Sequence, residues 1–474
     1  MAILQKREKN SYGSKKLNER YDVWQTHVFD SGVCSSAYFW QFFQQMYSMV
    51  DTIIVGQYLG VDALASVGSV GSLQFLIIGF CLGSCAGMSI PIAQRFGAKD
   101  EENLRKFVAN SIWLAAAMAV VVTVITVALA WQILVWMQTP SNIIQEAYNY
   151  FVVILLGIPA TILYNLASAI MRALGDSKTP LVFLILSSVL NIGLDFLFIL
   201  TFHMGCAGAA WATILSQLIS GLLCVFYMIR HLPILHVRKG EWAFSPIHMK
   251  ILCNLGFPMG LQNSITAIGS VVLASAVNSL GSVAVASITA AFKIQMLFNC
   301  AYDAMGTTMA TYCGQNVGAR KLSRIGRGLR CGLGVMIVYS VLSFLILQFF
   351  GKTIALLFVN ADETAILSNV ETFLFINSVT YATLAFVIVV RYMIQGLGFS
   401  KIAMFAGLFE MVARVGVAFF MVPLWGFVGA CLANPAAWIA ADCFLIPCYF
   451  SVLRRVRRMV VEVPDEDDVE KQTA

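Results

Sequence analysis

Long apolar runs alternate with short polar breaks along most of the 474-residue chain. A helix needs about 20 apolar residues to cross the hydrocarbon of a bilayer. Runs at roughly 34–58, 63–90, 108–136, 147–170, 180–202 and 206–229 meet that need, and six more follow at roughly 252–280, 284–312, 329–351, 369–393, 402–424 and 427–452. The pattern predicts an all-α polytopic membrane protein of twelve transmembrane helices.

The breaks sort by charge. Arg95, Lys99, Arg105 and Lys106 follow the second run, Arg172 and Lys178 the fourth, and Arg230, Arg238, Lys239 and Lys250 the sixth. Arg320, Lys321, Arg324, Arg327 and Arg330 follow the eighth, and Arg454, Arg455, Arg457 and Arg458 the twelfth. Lys352 is essentially alone in the opposite breaks. Lys and Arg collect on the cytoplasmic side, so both termini are expected in the cytoplasm and the chain in the plasma (inner) membrane of a prokaryote. The division expected is a cytoplasmic tail at 1–33, a first lobe at 34–230, a cytoplasmic linker at 231–250, a second lobe at 251–453 and a cytoplasmic tail at 454–474.

Composition narrows the class further. The chain is 59% hydrophobic and 12% charged, with a mean hydropathy of +0.78. Soluble proteins carry about 25% charged residues, so lipid must be the solvent for most side chains. The net charge of +6 is spread over the inner breaks, and no nucleic-acid partner is expected. The twelve cysteines lie mostly inside apolar runs without a CxxC pair beside histidines, and inert thiols are expected. No nucleotide-binding motif appears. The five histidines, His27, His203, His231, His236 and His248, fall in the tail, loops or helix ends, which argues against a membrane-embedded enzyme.

A shift of 221 residues lays the chain on itself. Leu59, Gly60, Ala63, Ala65 and Ser66 recur as Leu280, Gly281, Ala284, Ala286 and Ser287. Gln94, Gly97 and Ala98 recur as Gln315, Gly318 and Ala319, and Gly205, Gly208, Ala209 and Ala212 as Gly426, Gly429, Ala430 and Ala433. Gln41 falls on Gln262. Two six-helix copies of equal orientation should then be related by an axis along the membrane normal.

Polar side chains inside the runs mark candidate sites, because they are costly in lipid. Gln41, Gln44, Gln45, Ser48 and Asp51 form a stripe along the first span, with Tyr47 on its edge, and Asn191 and Asp195 share a face of the fifth. Counted from the span ends at about 1.5 Å per residue, Asp51, Asp195 and Thr213 all lie roughly 12–14 Å below the outer surface. Two carboxylates, an amide and a hydroxyl at one depth suit a proton or a hard monovalent cation; acids that only hold helices together are the alternative. The second copy has Val272 and Ala418 in place of the two acids. It carries Lys293 and Asp303, too far apart along one helix to pair, and Glu410 with Arg414, expected to form a structural ion pair. Lys293 and Arg414 are the cations expected deep in the membrane.

These residues sit in stretches that resemble the multidrug and toxic compound extrusion (MATE) family. The resemblance covers roughly 34–452 and is carried by YSMVDTIIVG at 47–56, AQRFGAKD at 93–100, MRALGDSKTP at 171–180, NIGLDFLFI at 191–199, GCAGAAWAT at 205–213 and GQNVGARK at 314–321. It implies a secondary active antiporter that exports organic cations or drugs in exchange for H+ or Na+, by alternating access between two lobes. A flippase for lipids or lipid-linked saccharides is the alternative. A resemblance to the prokaryotic DinF-like branch implies a coupling site at Asp51, Asn191, Asp195 and Thr213 with the Ala209 carbonyl, and Na+ is a candidate ion there. It also implies a substrate cavity near Tyr47, Gln41, Gln44 and Asn165, no cofactor other than the coupling ion, and a working monomer. The family often has a proline near the start of span one. Ala37 stands there, while Pro258 is kept in the second copy, so a proline-assisted bend of helix one is not expected. Thr266 and Leu384 occupy the positions nearest the acids of NorM-like second lobes.

Overall fold

The computed structural model describes residues 31–459 apart from 60, 138, 140–142, 357, 358, 360 and 361; the side chains of 31–35, 47–53, 56, 61, 62, 64, 65, 72 and 282 also lie outside the described set. The outer parts of both expected tails fall outside it too. The described chain is helical throughout its elements. Helices α1 (Ser31–Leu59), α2 (Val61–Gly97), α3 (Glu101–Trp136), α4 (Ile144–Leu156), α5 (Ile158–Ala173), α6 (Lys178–Phe196) and α7 (Gly205–His231) make the first lobe. Helices α8 (Pro246–Asn278), α9 (Ser282–Gly318), α10 (Leu322–Ala355), α11 (Thr364–Val379), α12 (Tyr381–Gly396), α13 (Ser400–Gly416), α14 (Val422–Cys431) and α15 (Ala433–Met459) make the second.

Among the described residues nine helices are long and apolar enough to cross a membrane, or eleven when each of two bent pairs counts as one span. The 29-residue α1 supplies the remaining element of the expected twelve. The bent pairs are spans four and ten. Helices α4 and α5 meet at 43°, where Pro159 lies in the first turn of α5 and cannot donate to the preceding turn. Helices α11 and α12 meet at 52°, where the Thr380 hydroxyl donates to the Asn377 carbonyl at 2.9 Å and competes with the helical bond.

The duplication read from side chains is equally plain in the backbone. A π turn ends α6 at Leu197–Thr201 and another ends α13 at Val417–Met421. Left-handed residues recur in pairs: Lys99 and Arg320, Gly175 and Gly398, Gly205 and Gly426. Their offsets, 221, 223 and 221, match the 221-residue shift of the sequence repeat to within two residues. Gly426 (φ 55°) lies inside α14 and turns the chain from span eleven into span twelve, as Gly205 (φ 60°) does before α7.

Each lobe buries a core of its own. The first is built around Phe107, Phe151, Ile158 and Ile170, the second around Tyr302, Met305, Phe373 and Tyr381. A small third cluster, Ile90 with Leu255 and Met259, joins the two across α2 and α8. In lipid such helices associate through close packing and scattered polar contacts, because tails offer no hydrophobic contrast. The linker is docked on the first lobe by two short 3-10 turns, Pro233–Leu235 and Lys239–Trp242. Arg105 on α3 donates from Nε to both Glu241 oxygens at 2.8 and 3.0 Å, and the Ser245 amide donates to Asn110 Oδ1 at 3.0 Å.

Candidate functional site

Three polar regions stand out. The first is the predicted coupling site. Asn191 and Asp195, one turn apart on α6, are fully buried. Asn191 Nδ2 reaches Thr213 Oγ1 on α7 at 3.5 Å, and Ala209, one turn before Thr213, is fully buried as well. Asn191 Oδ1 is enclosed and has no donor among the described residues. The structure therefore brings Asn191, Asp195, Thr213 and Ala209 into one packed region between α6 and α7. Helix α1 packs on α6 and carries Asp51 and Tyr47, whose side chains lie outside the described residues. Gln41 and Gln44 are half-buried on α1. Asn165 is buried on α5 and donates back to the Thr161 carbonyl at 2.8 Å, while Thr161 donates to Gln217 at 2.7 Å. No hydrogen bond joins Asn165 to Gln41 or Gln44 among the described residues.

The second region lies between the lobes. At the Gly97 end α2 and α9 touch backbone to backbone: a Cβ on Gly97 would stand 1.9 Å from the Gln315 carbonyl oxygen, and one on Gly318 1.8 Å from that of Gln94. Two hydrogen bonds lock the crossing. Gln94 Nε2 donates to the Gly396 carbonyl at 3.0 Å, and Gln315 Nε2 to the Ala173 carbonyl at 2.9 Å. Donors and acceptors are themselves repeat partners, offset by 221 and 223, so the latch has the symmetry of the lobes. Farther along, Asn263 donates to the Gly79 carbonyl and Ser264 to that of Leu76, each at 3.0 Å. Beyond them α8 turns away to pack on α13, with Gly269 against Met411 and Arg414, and a Cβ on Gly68 or Gly71 of α2 would meet nothing within 4 Å. The closest described approach of the two lobes is therefore at the Gly97–Gly318 crossing. Near that crossing a small cavity between the lobes is lined by Ser89, Ile90, Arg172, Met259, Thr311 and Tyr392. Arg172 lies 4.6 Å over the Trp40 ring, and its Nη1 is enclosed without an acceptor among the described residues.

The third region is in the second lobe. Glu410 and Arg414 meet as expected, at 3.7 Å, but the nearer partner of Glu410 is Arg391 on α12. Arg391 and Asp442 were not foreseen. Arg391 sits near the end of an apolar run and reads there as a span boundary, yet it is buried, so the deep cations are not confined to Lys293 and Arg414. Asp442 is buried on α15, the single acid of its run. The rule that an ionisable residue inside a span deserves scrutiny would have found it. Lys293 is half-buried, ten residues from Asp303 on the same helix.

The comparisons with known proteins follow this geometry. The MatE family model matches residues 37–197 and 258–420, two segments whose starts are 221 residues apart. The chain belongs to the MatE family. It is 31% identical over 322 residues to the probable multidrug resistance protein YpnP of Bacillus subtilis, covering 68% of this chain and 72% of that one. It is 29% identical over 333 residues to YoeA of the same organism, likewise named a probable multidrug resistance protein, with 69% and 72% covered. A relative from Shewanella oneidensis, 23% identical over 354 residues with 72% and 76% covered, is named an FAD transporter. Among solved structures, an outward-facing multidrug resistance MATE family transporter of the MOP superfamily superimposes with a TM-score of 0.84 at 22% identity, covering 90% of this chain and 95% of that one. A MATE protein in the bent conformation gives 0.83 at 22% identity, with 92% and 99% covered. This MatE protein thus has the twelve-helix transporter fold and is a multidrug efflux transporter by family, not an enzyme.

Proposed function

We propose that this MatE protein is a secondary antiporter that expels amphipathic organic compounds, organic cations among them, in exchange for H+ or Na+ bound in its first lobe. The observation that carries the reading is the grouping of Asn191, Asp195 and Thr213 between α6 and α7, with Asn191 and Asp195 fully buried. Carboxylate, amide and hydroxyl oxygens are ligands for a hard cation and acceptors for a proton. Basic residues crowd the latch end, with Lys99, Arg320 and Lys321 beside it, so that end is read as the cytoplasmic one. A cation entering from outside meets Asp195 and, on α1, Asp51. Exchange then requires that cation and substrate favour different lobe arrangements. No bend of α1 at a proline is needed, since Ala37 replaces it.

A second reading has one observation in its favour. Arg172, stacked on Trp40 and with Nη1 lacking an acceptor among the described residues, offers the cavity a positive charge that suits a phosphate or carboxylate, as a lipid or lipid-linked saccharide flippase would need. Proteoliposomes given a fluorescent organic cation or a fluorescent anionic lipid, under imposed H+ and Na+ gradients, separate the two. Uptake of the cation driven by either gradient, and lost in Asp51→Asn and Asp195→Asn, supports the antiporter. Gradient-independent flipping of the lipid with no movement of the cation supports the flippase.

A further inference from the structure

The second lobe carries a charge count that does not close. Arg391 on α12, Glu410 and Arg414 on α13, Asp303 on α9 and Asp442 on α15 lie in one neighbourhood. Both arginines address Glu410, Arg391 directly and Arg414 at 3.7 Å. Asp303 and Asp442 each lie within the electrostatic reach of Arg391, and Asp442 within that of Glu410 too. Neither aspartate has a salt bridge or hydrogen bond among the described residues, and Asp442 Oδ1 is wholly enclosed. Three acids against two arginines leave one negative charge over.

Asp303 is half-buried, whereas the packing shuts Asp442 away from water. Asp442 is 8% exposed. One turn before it Trp438 tilts against Tyr381 of α12, with ring centroids 6.1 Å apart, and two residues after it Phe444 stacks on Phe409, the neighbour of Glu410, at 4.8 Å. The charged groups that act on Asp442 from the helices packed on α15 are Arg391 on α12 and Glu410 on α13. A lone carboxylate in such a place is expensive, and a carboxyl that keeps its proton is the usual remedy.

We propose that Asp442 is a proton-binding group of the second lobe, loaded and unloaded during transport, separate from the site around Asp195. When the proton leaves Asp442 Oδ for water, the new carboxylate competes with Glu410 for Arg391, and the contact between α12 and α13 loosens. When the proton returns, the Arg391–Glu410 pair closes. The second lobe thereby has a pH-dependent joint between the helix that lines the cavity through Tyr392 and the helix that braces α8.

Infrared difference spectra of the purified protein, taken between acid and alkaline pH, test this apart from any transport assay. The wild type should show the carbonyl stretch of a protonated carboxyl that disappears on raising the pH, and Asp442→Asn should lack it while Asp195→Asn keeps it. Should Asp442→Asn fail to assemble, Asp442→Glu retains the group and should move the band to the position of a glutamic acid. A carboxyl band that is unchanged in both Asp442 variants overturns the proposal.

Discussion

The two lobes share a frame and differ in chemistry. Bends at Gly157 and Thr380, π turns at Leu197–Thr201 and Val417–Met421, and left-handed residues at Gly205 and Gly426 are copies of one another. The polar interior is not. Asn191 of the first lobe corresponds, at an offset of 223, to Arg414 of the second, Asp195 to Ala418 and Ser187 to Glu410. Where the first lobe presents an amide beside a carboxylate, the second places a guanidinium that already answers an acid. A fixed internal cation excludes a mobile one from the same place, by simple repulsion. Duplication kept the backbone, and side chains at equivalent positions then diverged, an amide and a carboxylate in the first lobe against a guanidinium and a methyl group in the second.

That contrast can be broken at four points. The largest effect is expected in the first lobe, where Asp195→Asn removes the exchanging acid. Coupling free energies of 1–3 kcal/mol correspond to about 5–150-fold, so gradient-driven uptake should fall by about a hundredfold in liposomes. Next comes the second lobe. Arg391→Met leaves Glu410 with Arg414 alone and should cost roughly 1.5–3 kcal/mol, visible as a drop in thermal stability in detergent. The shared latch is third. Gln94→Ala with Gln315→Ala removes two bonds worth about 0.5–1.5 kcal/mol each, and spin-label distances across the Gly97–Gly318 crossing should lengthen. Gly318→Ala should lengthen them further, because its Cβ would lie 1.8 Å from the Gln94 carbonyl oxygen.

The smallest effect is at the linker. The Arg105 guanidinium donates to Glu241 and holds its carboxyl below the usual glutamate range. Since the folded state binds that proton less readily than the unfolded state, the contribution is complete above the ordinary glutamate value of about 4.3 and fades as pH falls through the lower folded value. Glu241→Gln should cost about 1 kcal/mol at neutral pH and nothing once the medium is acid enough to protonate the wild-type carboxyl. Melting curves across that range check it.

The frame was legible because lipid imposes a strong rule: every span must be long and apolar, and the breaks between spans carry the charges. Gln94 and Gln315 were visible as repeat partners, but their role was not, since a side chain bonded to a carbonyl about 300 residues away, as Gln94 is to Gly396, leaves no local pattern. The grouping of Asn191, Asp195 and Thr213 was legible from their spacing along the helices, which encodes the face each side chain shares. Arg391 escaped because a cation near the end of an apolar run looks like a boundary residue until the bend between α11 and α12 is seen. Glu410 and Arg414 were read correctly as neighbours one turn apart, yet the spacing of one helix says nothing about a nearer partner on another.

The central claim is that the first lobe holds the ion that is exchanged, and paired fluxes test it most directly. Liposomes loaded with a fluorescent organic cation should be diluted into medium where entry of H+ and of Na+ is recorded as the compound leaves. Wild-type protein should move one of those ions inward in fixed proportion to the compound, and Asp195→Asn should abolish that inward current. An inward flux in Asp195→Asn with the wild-type ratio would contradict the account.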